Sequence, residues 1–487
     1  MELFLDNVGI IKNSKVKIEG LTVITGKNSS GKTTVGKVLY SVIRARSNIE
    51  KAYVESRNAY IISQLDEICM VLSLYERIRL KPFVRIGEIT PAKTNTNSFL
   101  YTFEKRSFSK MSSEKLLSFL AGLEEKLNQL TLEEVYNYYE GANYSGLIND
   151  KRFGKTVSRN FEEKKKKAIQ ICKQTISLIN APNAFERFET ERIKTFLNYE
   201  FRNQVKPVRN PGATGCICMS NGKDTILDLK ILNKSNFQLL HGVNAVFPYS
   251  QTIFIDDPFI IDRLEYGIDD DIFDYEDNMD AIYSNDASSS RAHLSILLTE
   301  KEPTNFFSKM ELQNKYSAVF EKINFVVPGE FQKTNEGNFY IDDNIMLNVQ
   351  NLATGSKLFF IVKMLLMNGN LKEGTALVLD EPESHLHPEW INKFAEVLVL
   401  LIKELHVHVL LTTHSPNLLL ALDYYSNDYG VSDKAHFYLA QTDAGGWTAS
   451  LDCIDGNINK GYAHLSLPLI EMSIKQKPTR TRRKHDS

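Results

Sequence analysis

Eight residues near the N-terminus, Gly26-Lys27-Asn28-Ser29-Ser30-Gly31-Lys32-Thr33, have the types and spacing to hold a triphosphate. They match G-x-x-x-x-G-K-[ST]. The glycines let backbone N–H groups close around a β-phosphate without a side chain in the way. Lys32 would neutralise β- and γ-oxygens, and Thr33 would offer its hydroxyl to Mg²⁺. Thr34 joins the nucleotide-binding set, where the following helix adds the partial positive charge of its N-terminus. Far along the chain, Leu377-Val378-Leu379-Asp380-Glu381-Pro382 is an apolar run ending in two carboxylates. A buried strand delivering acids to a sheet edge reads this way. Asp380 is expected to hold Mg²⁺ through water, and Glu381 to polarise the attacking water. A third strand, residues 407–413, ends in His414, which could reach a γ-phosphate. Alone, each has a plain reading: a chance Gly-Lys-Thr, a helix-start acid before Pro382, a structural histidine. Together and in order they predict binding and hydrolysis of ATP (or GTP) with a metal ion, with Lys32, Glu381 and His414 catalytic.

These residues need a sheet to bring them together. Short strands are expected over residues 2–8, 15–18 and 21–25, the last running into the phosphate loop, with a helix from Lys32 to about Arg46. From about 51 to 207 the character changes. Leu, Ile, Glu, Lys and Tyr recur with helical spacing, and residues 113–139 and 160–179 read as amphipathic helices. Pro82, Pro91 and Pro207 punctuate the stretch, and no heptad persists long enough for an extended coiled coil. It is expected to be a helical insertion, not a long arm. Residues 213–235 alternate again around Asn221-Gly222, a hairpin signal. Thr252-Ile253-Phe254-Ile255 reads as a core strand ending at Asp256-Asp257-Pro258, residues 269–277 as an acidic solvated loop, and 323–349 as two strands. From Leu358 to Ser415, helix and apolar strand alternate as a parallel sheet requires. The expected organisation is residues 1–50 with the phosphate loop, an insertion over 51–207, the second part of the ATPase lobe over 208–474, and a basic tail over 475–487.

The three motifs resemble the ABC-type ATPase superfamily. The resemblance implies an α/β P-loop ATPase lobe with an antiparallel β subdomain, and two subunits that sandwich ATP between them. It also implies a signature motif ahead of the acidic strand. Asn351-Leu352-Ala353-Thr354-Gly355-Ser356-Lys357 stands there, a worn form of Leu-Ser-Gly-Gly-Gln in which only Leu352 and Gly355 match. Gly355 and Ser356 would meet the nucleotide held by the other subunit; the plain alternative is a helix N-cap. The run Glu381-Pro382-Glu383-Ser384-His385-Leu386-His387-Pro388-Glu389-Trp390 is similar to the AAA15/AAA21-type ATPases, which include overcoming-lysogenization-defect proteins and recombination ATPases. It departs from transporter ATPases. His385 and His387 have no further ligands nearby and are expected to pack at the subunit interface, while Pro388 starts a helix. Finer detail in residues 253–259, 355–369, 386–390 and 413–416 resembles the PtuA-type ATPase subunit of Septu and retron-associated antiphage systems. The likeness covers about residues 1–45 and 245–470. It implies a separate nuclease partner, of HNH type, and viral infection as the trigger. The ATPase of the PARIS defence system is a similar alternative, and a DNA-clamping ATPase of recombination or repair is another.

Composition sets the remaining bounds. The 487 residues are 43% hydrophobic and 24% charged, with a formal net charge of −2, as in a soluble globular protein whose overall charge does not demand nucleic acid. No apolar stretch is long enough for a membrane span, and the N-terminus lacks the pattern of a signal peptide. Five scattered cysteines read as reduced thiols of a cytoplasmic protein; Cys216 and Cys218 read as strand residues. Two basic stretches stand out: Lys164 to Lys167, preceded by Lys151, Arg152, Lys155 and Arg159, and the tail. Each is either a DNA or RNA contact or a solvated surface. The overcoming-lysogenization-defect type of one-chain nuclease would need an Asp-x-Asp metal pair after His414. None is present, so a separate nuclease is the expected partner, with a second copy of the chain.

Overall fold

The computed structural model describes residues 1–72, 112–131, 153–242, 247–264, 289–299, 306–334, 337–343 and 345–475. Pro82, Pro91, Lys151, Arg152, the acidic stretch 269–277 and the tail from 476 lie outside them. The chain opens with β1 (Glu2–Asp6), β2 (Ser14–Lys17) and β3 (Leu21–Gly26), then α1 (Lys32–Arg46). Among the described residues four helices follow: α2 (Ile49–Leu72), α3 (Ser113–Gln129), α4 (Phe153–Ile179) and α5 (Ala184–Glu200). Next come β4 (Gly215–Asn221), β5 (Asp224–Asn233), β6 (Asn236–His241) and β7 (Gln251–Ile255), then α6 (Ser290–Thr299), α7 (Phe306–Lys315) and α8 (Ser317–Asn324). A three-stranded piece, β8 (Glu330–Thr334), β9 (Gly337–Asp342) and β10 (Ile345–Asn348), leads to α9 (Thr354–Met367). The last run is β11 (Thr375–Asp380), α10 (Pro388–Leu405), β12 (His408–Thr413), α11 (Pro416–Asp428), β13 (Ala435–Thr442), β14 (Ala449–Cys453) and α12 (Ile458–Lys475).

The central sheet has the order β14-β13-β3-β12-β11-β7, all parallel except β14. Its inner strands are largely apolar because both faces are covered. Alternation decides which side chain goes to which face. Leu377 and Leu379 of β11, Val409 and Leu411 of β12, and Val23 of β3 join one core with α9, α10 and α11. Ala376, Val378, Leu410 and Ile24 face the other way, into a core with α1, part of α5 and the antiparallel sheet β2-β1-β4-β5-β6. Gly36 lets α1 sit tight on this face, since a Cβ there would lie 2.9 Å from a Val378 methyl. The fold class is therefore α/β: a lobe built on a mostly parallel sheet, with an antiparallel subdomain and a helical insertion.

Two compact units emerge. The first takes Met1–Ser47 and most of the chain from Glu189 onward; the second is formed chiefly by Asn48–Phe188. The insertion thus ends earlier than the composition change near 207. The reason lies in Ile193, Phe196 and Leu197, which are buried with Val35, Val38 and Val42 of α1 in the core of the first unit. In the second unit, α2, α3 and α4 share small apolar clusters, among them Ile68, Leu127, Phe161 and Cys172. Residues 317–324, ahead of the three-stranded sheet, are helical. Three strands rather than two follow, because β9 pairs with β10 as well as with β8.

Candidate active site

The C-terminal ends of β3, β11 and β12 lie side by side, with Asp380 opposite Thr412 and Thr25 opposite Thr413. After β3 the loop turns through Ser29 (φ 61°) and Gly31 (φ 82°). Gly31 is required twice over: its φ is left-handed, and a Cβ would lie 2.7 Å from Ile11 Cδ1. Gly26 is similarly constrained, its would-be Cβ 2.7 Å from the Ala440 carbonyl. Gly31 caps α1, so Lys32, Thr33 and Thr34 form its first turn.

Lys32 is 4% exposed. Its Nζ donates to the Gly26 and Lys27 carbonyls at 3.0 and 2.9 Å and stands 3.4 Å from Glu381 Oε1. The ammonium is held by acceptors that a nucleotide phosphate would replace. Thr33 Oγ1 donates to both Asp380 oxygens, at 3.0 and 2.9 Å. A hydroxyl and a carboxylate facing each other are hard oxygen donors of the kind Mg²⁺ takes. Burial pushes the Asp380 carboxyl up. Hydrogen bonds from Thr412 and Thr33 pull it back, and the charges of Glu381 and Asp256 add to the rise, which prevails. A single carboxylate so raised is one that a divalent cation would relieve, so Asp380 and Thr33 fit the ion.

Glu381 sits at φ 47°, ψ 50°, left-handed for a residue with a Cβ and just before a proline. Such backbone costs about 1–3 kcal/mol and persists where surroundings impose it. Here its N–H is fixed by the Thr412 carbonyl and Thr412 Oγ1, both at 3.1 Å. The strained turn lifts the Glu381 side chain off the strand line, between Lys32 and His414. His414 Nδ1 stands 3.3 Å from Glu381 Oε2. Lys32, Thr33, Asp380, Glu381 and His414 thus form one continuous patch, as the spacing of motifs on neighbouring strand ends requires.

Gly355 and Ser356 are set differently. Both are buried in the first turn of α9, which begins at Thr354. A Cβ on Gly355 would lie 2.9 Å from the Trp390 ring and 3.1 Å from the His385 carbonyl. The exposed positions of this segment are Asn351 and Ala353, with Thr354 half-buried. Lys357 turns inward, its Nζ 2.6 and 2.7 Å from the two Asp262 oxygens. His385 packs edge-on against Phe259, and the His387 side chain caps α10 ahead of Pro388.

Three groups escaped the motif reading. Thr412 Oγ1 donates to Asp380 at 2.5 Å; its signal was a polar residue at the end of the strand next to the acidic one. Asp256, at the end of β7, is gripped by Arg291 through Nε and Nη2 at 2.9–3.1 Å. Glu383 is buried beside His414.

Over residues 54–421, about three quarters of the chain, the sequence matches the family described as "AAA domain, putative AbiEii toxin, Type IV TA system". The chain belongs to this family. The matched stretch takes in Asp380, Glu381, Glu383 and His414, and the phosphate loop precedes it. It is a P-loop ATPase of the AAA_21 family. No curated protein matches the sequence. Among solved structures, it is similar to an SMC head domain from Thermotoga maritima (10% identity, TM-score 0.33, covering 93% of this chain and 98% of that one). A second is an SMC head bound to the C-terminal winged-helix domain of ScpA (9% identity, TM-score 0.36, 93% and 96%). A third is the SMC head with an extended coiled coil from Pyrococcus furiosus, bound to the C-terminal domain of ScpA (12% identity, TM-score 0.29, 98% and 99%). The strand order and motif positions define the fold independently of these overlays. Among the described residues, no helix is long and apolar enough to cross a membrane.

Proposed function

We propose that the protein is an ATP-driven switch subunit of an antiphage defence complex, controlling a separate nuclease of HNH type. The observation that carries the switch is the contact chain Lys32–Glu381–His414 beside Thr33–Asp380. Lys32 and the loop amides would bind the β- and γ-phosphates. Glu381, lifted by its left-handed turn, would accept a proton from the attacking water. His414 would sense the γ-phosphate. Mg²⁺ held by Thr33 and Asp380 would supply charge neutralisation to the phosphates. A second copy of the chain would complete the site, with the N-terminus of α9 facing the bound nucleotide through Ala353, Thr354 and the N–H groups behind them. Gly355 and Ser356 then serve this contact through their backbone, because their side-chain positions are packed.

The defence role rests on the Glu381–Trp390 run and its resemblance, and is supported by the toxin–antitoxin wording of the family. ATP binding would close two subunits and hydrolysis would reopen them, so the partner nuclease reads the nucleotide state. The test is reconstitution. The purified chain with Mg²⁺ should hydrolyse ATP and leave plasmid and linear DNA intact. Cleavage should appear with an added HNH partner and change with Lys32→Ala. Nicking by the chain alone that survives Lys32→Ala and repeated purification would refute the two-protein arrangement.

A further inference from the structure

Glu383 follows the general base by two residues, in the single-turn 3-10 helix Pro382–His385. Its side chain is 3% exposed. Oε1 accepts from Thr413 Oγ1 at 2.6 Å, from the His414 N–H at 2.9 Å and from the Ser415 N–H at 3.2 Å. The same oxygen stands 3.4 Å from His414 Nδ1. Oε2 is buried and has no hydrogen-bond partner. Among the described residues, no lysine or arginine pairs with Glu383.

A clamp on the β12 turn needs only a neutral acceptor. Burying a carboxylate with one oxygen unsatisfied is costly unless its charge has work to do. The group it faces is the His414 ring. Nδ1 is nearly equidistant from two carboxylates, 3.3 Å from Glu381 and 3.4 Å from Glu383. One Nδ1 hydrogen cannot serve both fully. We infer that Glu383 is the positioning residue of His414, holding its Nδ1–H and its backbone so that Glu381 is left free to take the proton of water. With Nδ1 turned inward, Nε2 lies on the opposite edge of a ring whose side chain is 43% exposed, where a γ-phosphate would arrive. The carboxylate thereby ties the segment after β11 to the segment after β12, so base and sensor move together. This rests on the reading of Glu381 and His414 given above.

A double-mutant cycle tests it. Glu383→Gln keeps an oxygen for the three donors and removes the charge. It should lower kcat on the order of 10–100-fold, as loss of an orienting partner of a functional histidine does, while KM for ATP moves less than about threefold. In a His414→Ala background the same substitution should change kcat by less than about twofold, because its effect passes through the ring. An equal loss in both backgrounds, or a rise in KM with kcat unchanged, overturns the inference. Should Glu383→Gln not fold, Thr413→Val carries the same cycle, since it deletes one of the three donors and leaves the carboxylate. The underlying reading fails differently: Glu381→Gln would then hydrolyse ATP at the wild-type rate. Failure of the inference alone leaves Glu381→Gln inactive and the cycle additive.

Discussion

Glu381→Gln should move binding and turnover in opposite directions. In the structure Glu381 Oε1 stands 3.4 Å from Lys32 Nζ, with Lys32 buried and Glu381 about a third exposed. Two unit charges near this separation attract by roughly 4 kcal/mol at an effective dielectric of about 20. Solvent on the open side of Glu381 reduces the net value to about 1 kcal/mol. An incoming phosphate must win Lys32 from this carboxylate and also approach its negative charge. Glutamine removes both obstacles, so ATP affinity should rise roughly fivefold, the equivalent of about 1 kcal/mol. The amide cannot accept the water proton, so kcat should fall about 10²–10⁴-fold, or roughly 2.7–5.4 kcal/mol of barrier. Equilibrium titration with a fluorescent ATP analogue gives the first quantity, and phosphate release under saturating ATP gives the second. Turnover within about threefold of wild type, far inside the general-base range, would refute the role of Glu381. Weaker binding would refute the competition for Lys32.

Asp380→Asn should abolish stimulation by Mg²⁺ while keeping the thermal midpoint, because Thr33 and Thr412 can still donate to the amide oxygen; titrating ATPase activity with Mg²⁺ checks it. Gly355→Ala should destabilise the protein by about 1–3 kcal/mol in urea unfolding, as overpacking does, because the new methyl meets Trp390 and the His385 carbonyl. Lost activity with unchanged stability would instead put this glycine against the nucleotide. His293 is buried against the Tyr40 hydroxyl, and burial drives its pKa down to about 3. A histidine depressed in the folded state costs stability as pH falls below its ordinary value near 6.5, where the unfolded chain takes a proton that the folded one refuses. Thermal midpoints should therefore drop between pH 6.5 and 3, less steeply in His293→Gln.

What could be read from sequence follows from which forces act locally. The G-x-x-x-x-G-K-T spacing, the apolar run before Asp380 and the strand before His414 each encode a strand-to-loop transition. Parallel pairing then leaves few ways to arrange their ends. Pro388 marked a helix start, and α10 begins there. The contacts of Glu383 were not legible. Its three donors come from residues about 30 positions away, and only the β11–β12 register brings them within reach. The packing of the first turn of α9 was not legible either: Gly355 matches a motif letter, but Trp390, on another helix, fills the space its side chain would need. The insertion boundary shared this difficulty, because the composition near α5 stays helical while its apolar residues change cores.

The position of β3 has a consequence for how the protein is born. This strand holds the centre of the parallel sheet, yet its two neighbours, β12 and β13, begin only at His408 and Ala435. On a ribosome adding roughly 5–20 residues per second, the nascent phosphate loop waits on the order of half a minute for its supporting strands. Until then, Leu21 to Thr25 have no neighbouring strand to pair with, and holdase chaperones have a clear target. Truncated products that stop in the insertion cannot assemble the ATP site. The proposed ATP site would thereby stay silent until β12 and β13 have been synthesised.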